Sequence, residues 1–139
     1  MHLTALILVT ALCLSACATG NLNIPQELTP AELIQRAQEA SDRNRYKLAR
    51  QYYMALLERN SGNIDLVCAA EYEIAFIYYK QRKYGQAKDG FQSLLERYNT
   101  PSGSLLPPQF KKLSAIVLER INEKEKPKDT KKGAAVTAE

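Results

Sequence analysis

The chain repeats itself, and that feature constrains its fold more than any other. Tyr46-x-x-Ala49-x-x-x-Tyr53-x-x-Leu56-Leu57-Glu58-Arg59 returns as Tyr84-x-x-Ala87-x-x-x-Phe91-x-x-Leu94-Leu95-Glu96-Arg97, each position displaced by 38 residues. Residues three and four apart share one face of a helix, so Ala49, Tyr53, Leu56 and Leu57 form one apolar stripe. Ala87, Phe91, Leu94 and Leu95 form a second. A small residue marks the place where a neighbouring helix must come close, and the aromatic one turn later fills the space beside it. Self-similarity at this period is the mark of stacked supersecondary units, none of which can bury its apolar face alone.

Each repeated helix is preceded by a partner, predicted at residues 30–40 in the first unit and 65–81 in the second. Short polar turns join the partners at residues 41–45 and 82–83. Thr29-Pro30-Ala31-Glu32 supplies a helix start, with Thr29 as N-cap, Pro30 at the first helical position and Glu32 at the third. Residues 60–63 and 99–103 stop the second and fourth helices. Pro107-Pro108 then opens a last amphipathic helix, predicted to use Phe110, Leu113, Ile116, Val117 and Leu118 and to run to about Glu123. The expectation is an all-α fold of two helix-turn-helix units and a C-terminal capping helix over residues 28–121. The charged, aperiodic stretch 122–139 reads as a disordered tail.

The start of the chain has a different character. Residues 3–14 are apolar and uncharged, too short to span a bilayer at about 20 residues but suited to the core of a secretory signal. They end in Leu14-Ser15-Ala16-Cys17. This resembles the lipobox of bacterial lipoproteins, in which a branched apolar residue and two small ones precede a cysteine that takes a diacylglyceryl thioether. The resemblance implies a signal peptide over residues 1–16, with Leu14, Ser15 and Ala16 recognised by the peptidase. It also implies palmitate-type acylation at Cys17 and a linker over residues 17–27. Two acyl chains hold a protein on a membrane where one does so only marginally. The mature chain is therefore expected to be membrane-anchored without spanning. Ala18 is not the aspartate that retains lipoproteins in the inner membrane of enteric bacteria. By that analogy the location is the outer membrane, on its periplasmic face.

The composition excludes several kinds of chemistry. The only histidine, His2, lies in the signal. The mature chain thus lacks Ser-His and Cys-His pairs, histidine proton transfer and most zinc sites. No glycine-rich phosphate loop is present, and the acids alternate with Lys and Arg as on solvated helix faces. Neither enzyme, metal nor cofactor is expected. The formal charge of +4 is spread along the chain without the aromatic-basic interleaving of a nucleic-acid binder. Cys68 is left without a disulfide partner once Cys13 is cleaved away and Cys17 acylated, and reads as a small buried hydrophobe.

The repeats resemble tetratricopeptide repeats. In the second unit Ile74-Ala75, Tyr78, Tyr84, Ala87 and Phe91 fall where that family places its large-small pair, tyrosines, alanine and phenylalanine. The first unit has Ala37 at the small position but Arg36 as its neighbour, and neither unit has the family's tryptophan or closing proline. A lipobox followed by such repeats at longer spacing is similar to the BamD lipoproteins of outer-membrane β-barrel assembly. Those proteins usually carry about five repeats, against two and a cap here. The resemblance implies a concave face lined in the second unit by Ala69, Tyr72, Phe76, Tyr79 and Lys80, and in the first by Ile34, Gln38, Ser41 and Asp42. Tyr72, Phe76 and Tyr79 lie at i, i+4 and i+7. Two readings stay open for this stripe: a groove for an extended peptide or partner helix, or packing against the closing helix or linker. The expected function is a membrane-anchored protein-protein scaffold of outer-membrane assembly. Its partners would be β-barrel assembly subunits or unfolded outer-membrane proteins. The alternative is a repeat adaptor lipoprotein of another envelope process, such as cell-wall division, pilus or export machinery, or host contact.

Overall fold

The computed structural model describes residues 23–126, and these are helical with no strand among them. Five α-helices run in chain order: α1 Pro30–Asp42, α2 Tyr46–Arg59, α3 Ile64–Lys80, α4 Tyr84–Tyr98 and α5 Pro108–Glu125, with a short 3-10 helix Pro101–Leu105 between the last two. α1 packs on α2 and α3 on α4 as two helix-turn-helix units, α2 joins the units through α3, and α5 closes the stack on α4 and α3. The signal, Cys17 and residues 127–139 lie outside the described residues.

The local rules read from the sequence operate at the helix ends. Thr29 and Glu32 form a reciprocal capping box: the Glu32 amide donates to the Thr29 hydroxyl at 3.3 Å, and the Thr29 amide donates to the Glu32 carboxylate at 2.8 Å. Asn63 caps α3 by accepting from the Leu66 amide. The turns within the two units are built alike. Asn44 and Arg82, which are 38 residues apart, both adopt the left-handed conformation, with φ of 58° and 60°. In each turn the following amide reaches back over the helix end, Arg45 to the Ala40 carbonyl and Lys83 to the Tyr78 carbonyl. This is the Schellman closure of a helix C-terminus. The repeat therefore extends into backbone geometry that side-chain periodicity does not reveal.

The core divides along the units. Leu33, Ala37, Ala49, Tyr53, Leu56, Ala70 and Ile77 fill the first cluster, and Cys68, Ala75, Ala87, Phe91, Leu94, Val117 and Ile121 belong to the second. Both stripe alanines, Ala49 and Ala87, are fully buried, as are Leu56 and Phe91. Cys68 is buried with a free thiol, and burial raises its pKa.

Two expectations about extent and one about a helix face need correction. Residues 24–27, expected as linker, are tied to the fold: Ile24 packs on the first cluster beside Leu28, and the Arg59 guanidinium donates to the Ile24 and Pro25 carbonyls at 2.9 and 2.8 Å. Residues 122–125 are not tail but the last turn of α5, where Glu125 pairs with Lys88 of α4. The face of α5 also differs from the one anticipated. It buries Ser114, Val117 and Ile121, with Phe110 and Leu118 alongside, whereas Leu113 is 40% exposed. Its outer side carries exposed Lys112, Glu119 and Glu123, the polar surface that ends a stack of repeats.

Residues 99–106 do more than stop α4. The 3-10 helix curls so tightly beneath the end of α4 that a β-carbon on Gly103 would stand 2.3 Å from the Tyr98 carbonyl oxygen. The Tyr98 hydroxyl donates to the Pro107 carbonyl at 2.6 Å. This folds Leu106 into the second cluster and sets the angle at which α5 returns.

Candidate functional site: an aromatic ladder on α3

α3 carries a mostly apolar sequence, IDLVCAAEYEIAFIYYK, so more than one of its faces is packed. Its Ala70 and Ile77 belong to the first cluster and Cys68, Tyr72 and Ala75 to the second. Three of its four aromatic residues stack along the helix. Tyr72 and Phe76 lie nearly parallel with ring centroids 5.8 Å apart and an interplanar angle of 12°, and Phe76 and Tyr79 follow at 5.6 Å and 26°. Phe110 of α5 abuts one end of the ladder at Tyr72 (5.6 Å), and Tyr84 of α4 abuts the other at Tyr79 (6.0 Å). Offset stacking at these distances is the favoured arrangement for aromatic pairs.

The anticipated groove residues divide into floor and lining. Tyr72 is only 8% exposed, wedged between Phe91 and Phe110, so it supports the ladder and is not a contact surface. The closing helix covers it, as the second reading of the stripe anticipated. Phe76 and Tyr79 are half-buried and Lys80 is exposed. These three are left to line the face. The Lys80 ammonium donates to the Ser41 hydroxyl at 3.0 Å and stands 5.9 Å from the Phe76 ring centroid. That contact ties the end of α3 to the end of α1 and brings the two units' first helices to one surface. Of the first-unit residues, Gln38 and Asp42 are exposed, Ser41 is buried, and Ile34 packs against the core.

Glu73 belongs to this surface and was not anticipated. It is half-buried; desolvation raises its carboxyl pKa, and Lys80 acts in the opposite direction. Its charge is felt by two phenols. Tyr53 of α2 has its pKa raised first by burial, then by Glu73 and Asp42, and Tyr72 first by burial, then by Glu73. The face is thus an aromatic strip with one cation and one poorly solvated carboxylate beside it. The sequence signal was available: an acid placed i−3 from Phe76 and i+1 from Tyr72, beside the aromatic stripe of a mostly apolar helix.

Two further polar contacts hold the frame rather than the face. Arg97 of α4 pairs with Glu71 of α3, and the Arg50 guanidinium of α2 lies over the Tyr78 ring at 4.6 Å. Among the described residues no group of three or more His, Cys, Asp or Glu is placed to hold a metal, and no helix is long and apolar enough to cross a membrane.

The fold and this face define an all-helical, repeat-like protein with a half-buried aromatic strip on the first-helix side of the described residues. A protein of Treponema pallidum (strain Nichols), described as uncharacterized, is 36% identical over 110 residues. The match takes in 78% of this chain and 44% of that protein, so the chain spans less than half the length of its relative. No protein-family profile matches the chain, and no solved structure does.

Proposed function

We propose that this protein is a non-enzymatic, membrane-anchored scaffold whose concave face binds a protein partner in outer-membrane β-barrel assembly. The anchor would be lipid on Cys17 and the location the periplasmic face of the outer membrane. The observation that carries the binding role is the pair Phe76 and Tyr79, stacked and half-buried between Lys80 and the α4 start. Aromatic side chains held rigid by their neighbours offer large contact area at low entropy cost, and such residues carry most of the energy of an interface. The ladder beneath them fixes their orientation, which reduces what association must order. The assignment to β-barrel assembly rests on the resemblance of lipobox and repeats to the BamD lipoproteins.

Two experiments test the two halves of this reading. Labelled fatty acid should be taken up by the wild-type protein and not by Cys17→Ser, and only the former should sediment with membranes. A photo-crosslinking side chain at Tyr79 should capture a β-barrel assembly subunit or an unfolded outer-membrane protein, and one at Lys112 on the outer side of α5 should not. Capture of a division, pilus or export component from Tyr79 would move the adaptor to another envelope process.

A further inference from the structure

We infer that the N-terminal end of the stack, the outer face of the α1–α2 pair, is a docking surface for an anionic bilayer. The inference rests on the reading of Cys17 as the anchor.

α2 presents Leu48, Tyr52, Ala55 and Arg59 at i, i+4, i+7 and i+11, which is one stripe along the helix. At its Arg59 end that stripe receives the incoming chain: Asn23, Ile24 and Gln26 share a cavity with Met54, Ala55 and Arg59, and Arg59 bonds two of the segment's carbonyls. At its other end the stripe is open. Leu48 and Tyr52 there form the base of a hollow of about 480 Å³ whose walls include Arg36, Arg43 and Arg45. The point where the tether enters the fold and the arginine hollow therefore occupy one face.

The charges on that face are unevenly engaged. Glu32 accepts from the Thr29 amide and hydroxyl, and Glu39 from the Gln35 amide group at 3.0 Å. Arg36, Arg43 and Arg45 are exposed and outnumber the hollow's two carboxylates, Glu32 and Glu39. The Thr29 hydrogen bonds and, after them, Arg36 lower the Glu32 pKa, and among the described residues none of the three arginines forms a close ion pair. Three exposed guanidinium groups match phosphate oxygens, which guanidinium binds in a planar, paired geometry.

The tether sets what can reach them. Six residues lie between Cys17 and Ile24, and an extended chain covers at most about 3.3–3.6 Å per step, so an anchored Cys17 keeps Ile24 within roughly 25 Å of the lipid. The end face is then held permanently next to headgroups, at an effective concentration that no soluble anion shares. Met54, 60% exposed beside the tether's entry, adds an apolar contact at the same edge.

The test uses the processed chain, residues 17–139, carrying Cys17→Ser, so that no acyl chain contributes. Co-sedimentation with phosphatidylcholine vesicles is compared with co-sedimentation with vesicles containing phosphatidylglycerol. Binding is expected only to the anionic vesicles and should weaken with added salt. The exposed triple change Arg36→Gln, Arg43→Gln, Arg45→Gln should reduce binding by roughly tenfold or more, because each basic residue at an anionic surface contributes severalfold. Removing the same charge from the far end, with Lys111→Gln, Lys112→Gln and Lys124→Gln, should leave binding nearly unchanged. Equal loss in the two triple variants would reduce the effect to net charge and overturn the inference. So would displacement by inorganic phosphate at matched ionic strength, which would make the hollow a soluble-anion site. Fatty-acid labelling of Cys17 is read separately, so failure of the anchor and failure of the docking face are distinguishable.

Discussion

Gly90 of α4 lies so close over Ala75 of α3 that a β-carbon built at position 90 would stand 2.8 Å from the β-carbon of Ala75. Glycine inside a helix costs about 1 kcal/mol relative to alanine, and here that cost permits the closest approach between the two helices of the second unit. Gly85, in the first turn of the same helix, meets nothing within 4 Å. Gly85→Ala should therefore raise stability by about 0.5 kcal/mol, while Gly90→Ala should lower it by about 1 kcal/mol despite the better helix former. Thermal melts of the two variants, made side by side, check the sign of each.

The stripe alanines make a related test. Ala49 and Ala87 are fully buried at corresponding places in the two units. Leucine at either position has no space to occupy and should destabilise by about 1–3 kcal/mol through overpacking. Circular-dichroism melts of Ala87→Leu that match wild type would mean the helix pairing has been misassigned.

Arg82 holds a left-handed conformation that an L side chain adopts at a cost of about 1 kcal/mol, whereas its counterpart in the first unit is asparagine, which tolerates it. Arg82→Asn should therefore stabilise the second turn by several tenths of a kcal/mol, and the reverse exchange, Asn44→Arg, should destabilise the first. Urea midpoints of the two variants, expected to move in opposite directions, provide the check.

Glu73 predicts a pH dependence. Its folded pKa is raised above the ordinary 4.5, first by burial, so between those two values the folded state binds more protons than the unfolded. Stability contributed by the protonated form is then fully present below about 4.5 and is lost as pH rises through the folded pKa. Glu73→Gln cannot ionise and should be more stable than wild type at neutral pH, with the difference shrinking as pH falls toward 4.5. A difference that stays constant with pH would show that the side chain is solvated.

Much of the fold could be read from the chain because repetition reports on itself. The 38-residue register located α2 and α4, the alanines marked close contacts, and Thr29 with Glu32 marked the first helix start. What stayed hidden depended on long-range geometry. The docking of residues 24–28 turns on Arg59 reaching carbonyls more than thirty positions earlier in the chain, which no local pattern announces. The burial of Ile121 was legible but unread: Phe110, Ser114, Val117 and Ile121 lie at i, i+4, i+7 and i+11 on one face of α5, and Leu113 falls outside it. For the candidate site, helical spacing aligned Tyr72, Phe76 and Tyr79 correctly but could not say that Phe110 would cover the first of them. Gly90 offered an unused signal, since a mid-helix glycine usually has a packing reason.

The central claim is that the half-buried aromatics Phe76 and Tyr79 of α3 bind a partner, and the double variant Phe76→Ala, Tyr79→Ala tests it most directly. Tyr72 is left intact because its burial makes its loss a folding defect, and helicity and melting are measured alongside. Buried interface aromatics contribute about 2 kcal/mol or more each, so the folded double variant should lose capture of a β-barrel assembly subunit in a crosslinking pull-down by two orders of magnitude or more. Leu113→Ala on α5 should capture as wild type does. A double variant that folds and still retains every partner would contradict the account and place the binding surface elsewhere on the molecule.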